Sequence, residues 1–248
     1  MRVESPSPAC LGFLPPLTGA CPKGDTNMNQ LSEQSAPAPR ADTRLLQAVH
    51  KTFRLATDRF VDATAALEPS ALQPIIGNRW SFYSTVLHHH HHNEDDVAFP
   101  ALIAVRPEMK ELIATLEDDH RRLIKRMSDV DEAVSTFEKK PDIPNRDALH
   151  DAIVAVRDEF FPHLDTEDAR VIPAFAESIP AAEWDRMDNE ALKTIPRKWL
   201  PKAIGALDEV IRGLPEEEQP PPPPLPIRVM LALSWRRKYA AWIKPTLV

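Results

Sequence analysis

An all-α fold, an antiparallel up-down four-helix bundle followed by extra C-terminal helices, is predicted by three observations. Glycine is scarce, at 6 of 248 residues, and aromatic residues make up 6%, whereas the abundant Ala, Leu, Glu, Asp and Arg favour helix over sheet. From Ala41 onwards apolar residues recur at spacings of three, four and seven, which is a helical period. Prolines divide the periodic part into four long segments with short connections, and such segments pack most simply as a bundle. At 43% apolar and 27% charged, the chain has the composition of a globular core.

Residues 1–40, rich in Pro and polar residues without a period, read as a disordered leader. Cys10 and Cys21 lie in it without a CxxC partner and supply no disulfide framework. Met28 opens a second plausible start. Glu4 and Pro15-Pro16 spoil a signal peptide, and no apolar run reaches the ~18–20 residues of a membrane span. The expected location is therefore cytoplasmic. The net charge of −7 argues against nucleic acid as a partner.

Residues 41–176 should form the bundle. The first helix carries the stripe Leu45, Leu46, Val49, Phe53, Phe60 and Val61. The second is expected over about residues 78–96, stopping before Pro100, and the third over about 107–137. The third turns Leu112, Ile113, Leu116, Leu123, Ile124 and Met127 inward, and Pro141 and Pro144 break it. The fourth covers about 146–168, kinked at Pro162 and ended by Pro173.

Residues 177–248 read as a helical extension. A short helix opens at Pro180, where a missing N–H costs little, and another spans about 201–212. A Pro-rich linker, 220–226, is extended. The last helix, about 227–243, has Arg228, Arg236, Arg237, Lys238 and Lys244 with no acid among them. Its Val229, Leu231, Leu233 and Trp235 are expected to dock on the bundle, and these helices could meet a protein partner.

The chemistry lies in an internal repeat. His90-x-x-x-Glu94-Asp95-x-x-x-Phe99-Pro100 recurs 73 residues later as His163-x-x-x-Glu167-Asp168-x-x-x-Ile172-Pro173. A His and a Glu four apart share a helix face, so each pair could reach one metal cluster from its own helix. The preceding helices each add one inward histidine, His50 and His120, at matching spacings of 40 and 43 residues. Carboxylates among apolar stripes cost several kcal/mol unless paired or metal-bound. Mixed imidazole and carboxylate donors suit iron, manganese or zinc. Arg54 is the one arginine placed on the pocket side of the first helix.

Within the run His88–His92, His90 falls about 40° from Glu94 and His91 about 60°, so His90 is the chosen ligand and His91 the register alternative. His88 and His92 face solvent. Tyr83 shares the stripe and reads as core, His150 as surface, and Glu117 as a solvated edge. Asp168 is a register alternative to Glu167.

The ordered set His50 … His90-x-x-x-Glu94 … His120 … His163-x-x-x-Glu167, with Phe99-Pro100 and Ile172-Pro173 after the acids, resembles the hemerythrin-like (HHE) cation-binding domain over about residues 42–176. Segments around Ala182-Glu183-Trp184 and Trp235-Arg236-Arg237-Lys238-Tyr239 resemble the tails of actinobacterial members. The resemblance implies two non-haem irons per chain, with manganese or zinc the lesser choices, bridging glutamates and terminal histidines. It implies reaction with, or sensing of, a small diatomic or peroxide ligand: dioxygen, peroxide or nitric oxide. Oxygen carriers have a second histidine on the third helix, where this chain has Leu116 and Ile124 four residues either side of His120, and an aspartate as last ligand. A ligand set with fewer histidines than the oxygen carriers have would weigh against reversible oxygen transport. The rivals are a non-enzymatic iron or oxygen sensor or metal store acting through the C-terminal helices, and a zinc-stabilised structural bundle. Closed structural zinc sites favour cysteine-rich sets of four ligands, which this pattern lacks.

Overall fold

In a computed structural model, residues 39–247 are described; Cys10, Cys21, Met28 and most of the expected leader lie outside them. Four long helices form the bundle: α1 (Arg44–Ala66), α2 (Pro69–Asn93), α4 (Lys110–Lys139) and α5 (Ile143–Thr166). α1 and α4 each lie against both α2 and α5, which closes the ring expected of an up-down bundle. Among the described residues there is no strand, and a single bridge joins Arg40 to Pro180. That bridge ties the end of the expected leader to the start of α7 (Ala181–Thr194).

α2 begins well before residue 78 and runs through Pro74. Its stripe Leu72, Ile76, Trp80, Tyr83 and Leu87 is buried at helical spacing. Burying Leu72 and Ile76 contributes about 2 kcal/mol each, enough to offset the roughly 3 kcal/mol cost of an interior proline. α5 starts where Asp142 caps it, its carboxylate accepting from the Asn145 N–H at 3.0 Å.

Neither Pro100 nor Pro173 ends its helix. After α2 a wide π-turn, Glu94–Ala98, leads into α3 (Phe99–Val105), and after α5 a second, Glu167–Val171, leads into α6 (Ile172–Ser178). The Phe99 N–H reaches back five residues to Glu94, and Ile172 does the same to Glu167. A proline normally breaks a helix through its lost i−4 hydrogen bond and its clash with that carbonyl. The widened turn shifts the bonding register just ahead of each proline, so the helix continues.

Ile124 is 45% exposed, contrary to expectation, while Leu123 and Met127 carry the buried stripe of α4. The extension packs α8 (Leu200–Ile211) and α10 (Arg236–Ile243) onto α1 and α2. Arg59 of α1 holds Glu209 at 2.8 Å, and Arg79 of α2 lies 5.0 Å from the Trp242 ring. A Cβ on Gly205 would meet that of Tyr239 at 2.6 Å, so glycine lets α10 approach α8. Between α9 (Leu225–Met230) and α10 a third π-turn, Leu231–Trp235, shifts the buried face. Leu231 and Tyr239 are therefore buried, whereas Val229 at 44% and Leu233 at 68% stay exposed instead of docking.

α7 places Trp184 and Met187 in an apolar cluster with Phe99, Ile113 and Phe175. Beside them, burial followed by the charges of Asp185 and Asp42 pushes the Asp188 carboxyl up to about 7. An acid raised on folding binds its proton better in the native state. Its stabilising effect is full below the ordinary value of 3.8 and fades as pH rises through about 7. Asp188→Asn should remove that fall, leaving the variant more stable than wild type at pH 8 by on the order of 2–4 kcal/mol. Urea unfolding between pH 4 and 8 checks this; an unchanged pH slope would contradict it.

Candidate metal centre

The repeated His and Glu residues gather where two apolar clusters meet, one around Phe53, Leu123 and Phe160, the other around Phe99 and Leu116. The potential donor atoms fall into two groups: His50, His90, Glu94 and Glu167 form one, and His91, His120 and His163 the other. Within each group the donor atoms lie within 4.8 Å of one another. Each glutamate faces one histidine of each group. Glu94 stands 3.4 Å from His90 Nε2 and 3.7 Å from His120 Nε2. Glu167 stands 3.3 Å from His163 Nε2 and 3.6 Å from His50 Nε2.

All six residues picked from the sequence therefore come together, and His91 joins them. His90 and His91 are not alternatives: about 100° apart on α2, they straddle the inward direction. His91 stacks on His120, ring centroids 4.1 Å apart. Five imidazoles thus surround the two glutamates, one more than the four picked from the sequence. Asp168 is not a substitute for Glu167. Its carboxylate accepts from the Nδ1 side of His50 at 2.7 Å, and Arg54 holds the other oxygen at 3.4 Å. Asp95 meets His120 Nδ1 at 2.8 Å in the same way, and Asp119 stands 3.5 Å from His163 Nδ1. The hydrogen bonds of Asp168 and Asp95 fix imidazole tautomer and orientation, leaving Nε2 for the centre, whereas Asp119 stands beyond hydrogen-bond reach of His163. The repeated Glu-Asp pair was the sequence signal for two of them; Asp119 had none.

Tyr83 is core, its hydroxyl 2.7 Å from the Thr57 hydroxyl. Glu117 takes no part in either group. His150 is not a free surface residue: it is half-buried, with Nδ1 at 3.0 Å from the Thr64 hydroxyl.

Burial first, then the neighbouring imidazoles, drives His90 and His91 well below the ordinary histidine range, so both are neutral donors near pH 7. Burial, then the charges of Glu167 and Asp95, raises the Glu94 carboxyl well above its usual range. Burial also works to raise Glu167, but His163, His50 and His120 outweigh it and hold that carboxyl below its usual range. In the free chain Glu94 keeps a proton far more readily than its partner.

The donors fit a cation. His50 Nε2, His90 Nε2, His91 Nε2, Glu94 Oε2 and both Glu167 oxygens are buried without hydrogen-bond partners. Among the described residues no lysine or arginine pairs with either glutamate. Orphaned buried polar atoms of this kind are rare in folded chains.

Residues 41–175 match the family model of the hemerythrin HHE cation-binding domain. The chain belongs to the hemerythrin HHE family. No curated protein and no solved structure matches it. HHE domains bind metal cations, and in this one the two His and Glu groups are the residues that could hold them. No described helix is long and apolar enough to cross a membrane.

Glu94→Ala and Glu167→Ala should each empty the HHE centre, because each removes a donor facing both groups. Asp95→Asn and Asp168→Asn should weaken metal binding by about 10–100-fold through lost orientation. His88→Ala and His150→Ala should leave tightly held metal unchanged. Elemental analysis after a chelator wash checks the series; metal retained in both glutamate variants would contradict the assignment.

Proposed function

We propose that the chain holds two iron ions, one between His50 and His90 and one among His91, His120 and His163, with Glu94 and Glu167 shared, and that it reacts with small oxidants. One observation carries the reading: each buried glutamate faces one histidine of each group. Carboxylates can bridge two ions, and mixed imidazole and carboxylate donors suit iron, with manganese or zinc as lesser choices. Bound irons would supply electrons and open positions for dioxygen, peroxide or nitric oxide.

The remaining work belongs to the chain. The neutral His90 and His91 offer lone pairs without first losing a proton. Glu94 can release its proton when a cation arrives, or hold one beside a reacting ligand. Phe53 lies 5.1 Å from His90, Phe99 lies 5.8 Å from His120, and Phe160 lies 5.8 Å from His91. These rings exclude water and confine the site to small ligands. Asp95 and Asp168 hold their imidazoles against rotation.

One observation favours a second reading, a sensor. Leu225, Val229, Met230 and Leu233 are exposed along the last helical stretch, where a protein partner could bind.

Stopped-flow mixing of anaerobic iron-loaded protein with hydrogen peroxide separates the readings. Rapid iron oxidation with peroxide loss continuing beyond one turnover, by disproportionation to oxygen and water or at the expense of an added reductant, is expected of an enzyme, and oxidation that stops after one turnover under both conditions fits the sensor. Oxidation no faster than that of free ferrous iron would refute both. Oxygen uptake that reverses on degassing would make the protein a carrier.

A further inference from the structure

The run His88–His92 is only partly used by the buried centre. Helical winding of about 100° per residue turns His90 and His91 inward and leaves His88 and His92, one turn apart, on the outer face of α2. Both are exposed. With Ser84, Thr85 and His89 they line an open surface cavity of about 460 Å³. Residues four apart on a helix have Cβ atoms about 5–6 Å apart, close enough for two imidazoles to close on one ion.

The acids after the run are divided in the same way. Glu94 enters the buried centre, Asp95 meets His120 Nδ1 at 2.8 Å, and Asp96 stands 3.3 Å from His92 Nδ1. Asp96 thus approaches His92 on the same Nδ1 side that Asp95 takes on His120, but as a solvent-exposed ion pair one helical turn further along the chain. A carboxylate at Nδ1 fixes the tautomer that presents Nε2 as a metal donor. Three imidazoles, those of His88, His89 and His92, thus line one open cavity, and a carboxylate stands beside one of them.

We propose that His88 and His92 form a second, solvent-facing metal site, separate from the buried centre, for a divalent ion that favours imidazole. Nickel, copper and zinc meet that description. Asp96 orients His92, His89 lies at the rim, and water completes the coordination. With two protein donors in open solvent, the ion exchanges freely, unlike one enclosed in the bundle.

The test uses untagged protein carrying whatever metal it retains through a chelator wash. Calorimetric titration with nickel should show one exchangeable ion per chain. His88→Ala and His92→Ala should each weaken it at least about tenfold, and Asp96→Asn should weaken it by up to about tenfold. Copper added instead should show two imidazole nitrogens by electron paramagnetic resonance, falling to one in each single histidine variant. Tightly held metal and helix content should not change in any of the three. No binding, or binding and copper spectra indifferent to His88 and His92, would overturn the proposal. Loss of the tightly held metal in His88→Ala would overturn it too, by placing that histidine in the buried centre.

Discussion

Glu94 and Glu167 are buried in the middle of an apolar bundle, and among the described residues no lysine or arginine lies against them. An unpaired buried carboxylate costs several kcal/mol, a large fraction of the 5–15 kcal/mol that holds a typical domain together. The surrounding structure offers two remedies. Without a cation, Glu94 retains a proton while Glu167 leans on His163, His50 and His120. With a cation, both carboxylates ionise and the orphaned imidazole nitrogens gain a partner. The depressed basicity of His90 and His91 suits the second state, since a neutral imidazole binds metal where a protonated one cannot.

The duplicated π-turns show how the chain brings this about twice. Each begins at the glutamate and has as its second residue an aspartate that reaches a histidine on another helix: Asp95 to His120 on α4, Asp168 to His50 on α1. Each half of the molecule therefore orients a ligand of the other. π-turns are uncommon and often mark functional sites; here they also carry each helix on past its proline, and Phe99, directly after the first turn, stacks 5.8 Å from His120. A change at one repeat should be felt by ligands on the opposite helix pair.

The bundle and the core of the site were legible in the sequence because both rest on helical spacing. The stripes of α1 and α4, and the repeat linking His90 and Glu94 to His163 and Glu167, follow from about 100° of turn per residue. Four features did not follow from it. The start of α2 was hidden by Pro74, since a local proline rule cannot weigh the burial of Leu72 and Ile76. Pro100 and Pro173 read as stops because a π-turn leaves no composition signal. His91 was set aside because a single inward direction was assumed where the helix presents a broad face to two groups of donors. Asp119 contacts His163 across helices, a meeting that spacing along one helix cannot reveal. In the extension, Val229 and Leu233 were assigned inward on an unbroken helical period, which the π-turn at Leu231–Trp235 interrupts.

X-ray absorption at the iron edge, on protein reconstituted anaerobically with ferrous iron and measured for metal content, tests the shared-glutamate centre most directly. Two irons per chain should be found, each ligated by imidazole and carboxylate, with a second iron scattering at roughly 3.5–4 Å, the separation usual for two-metal sites. One iron per chain, or two irons without a short iron–iron distance, would contradict glutamates shared between two ions.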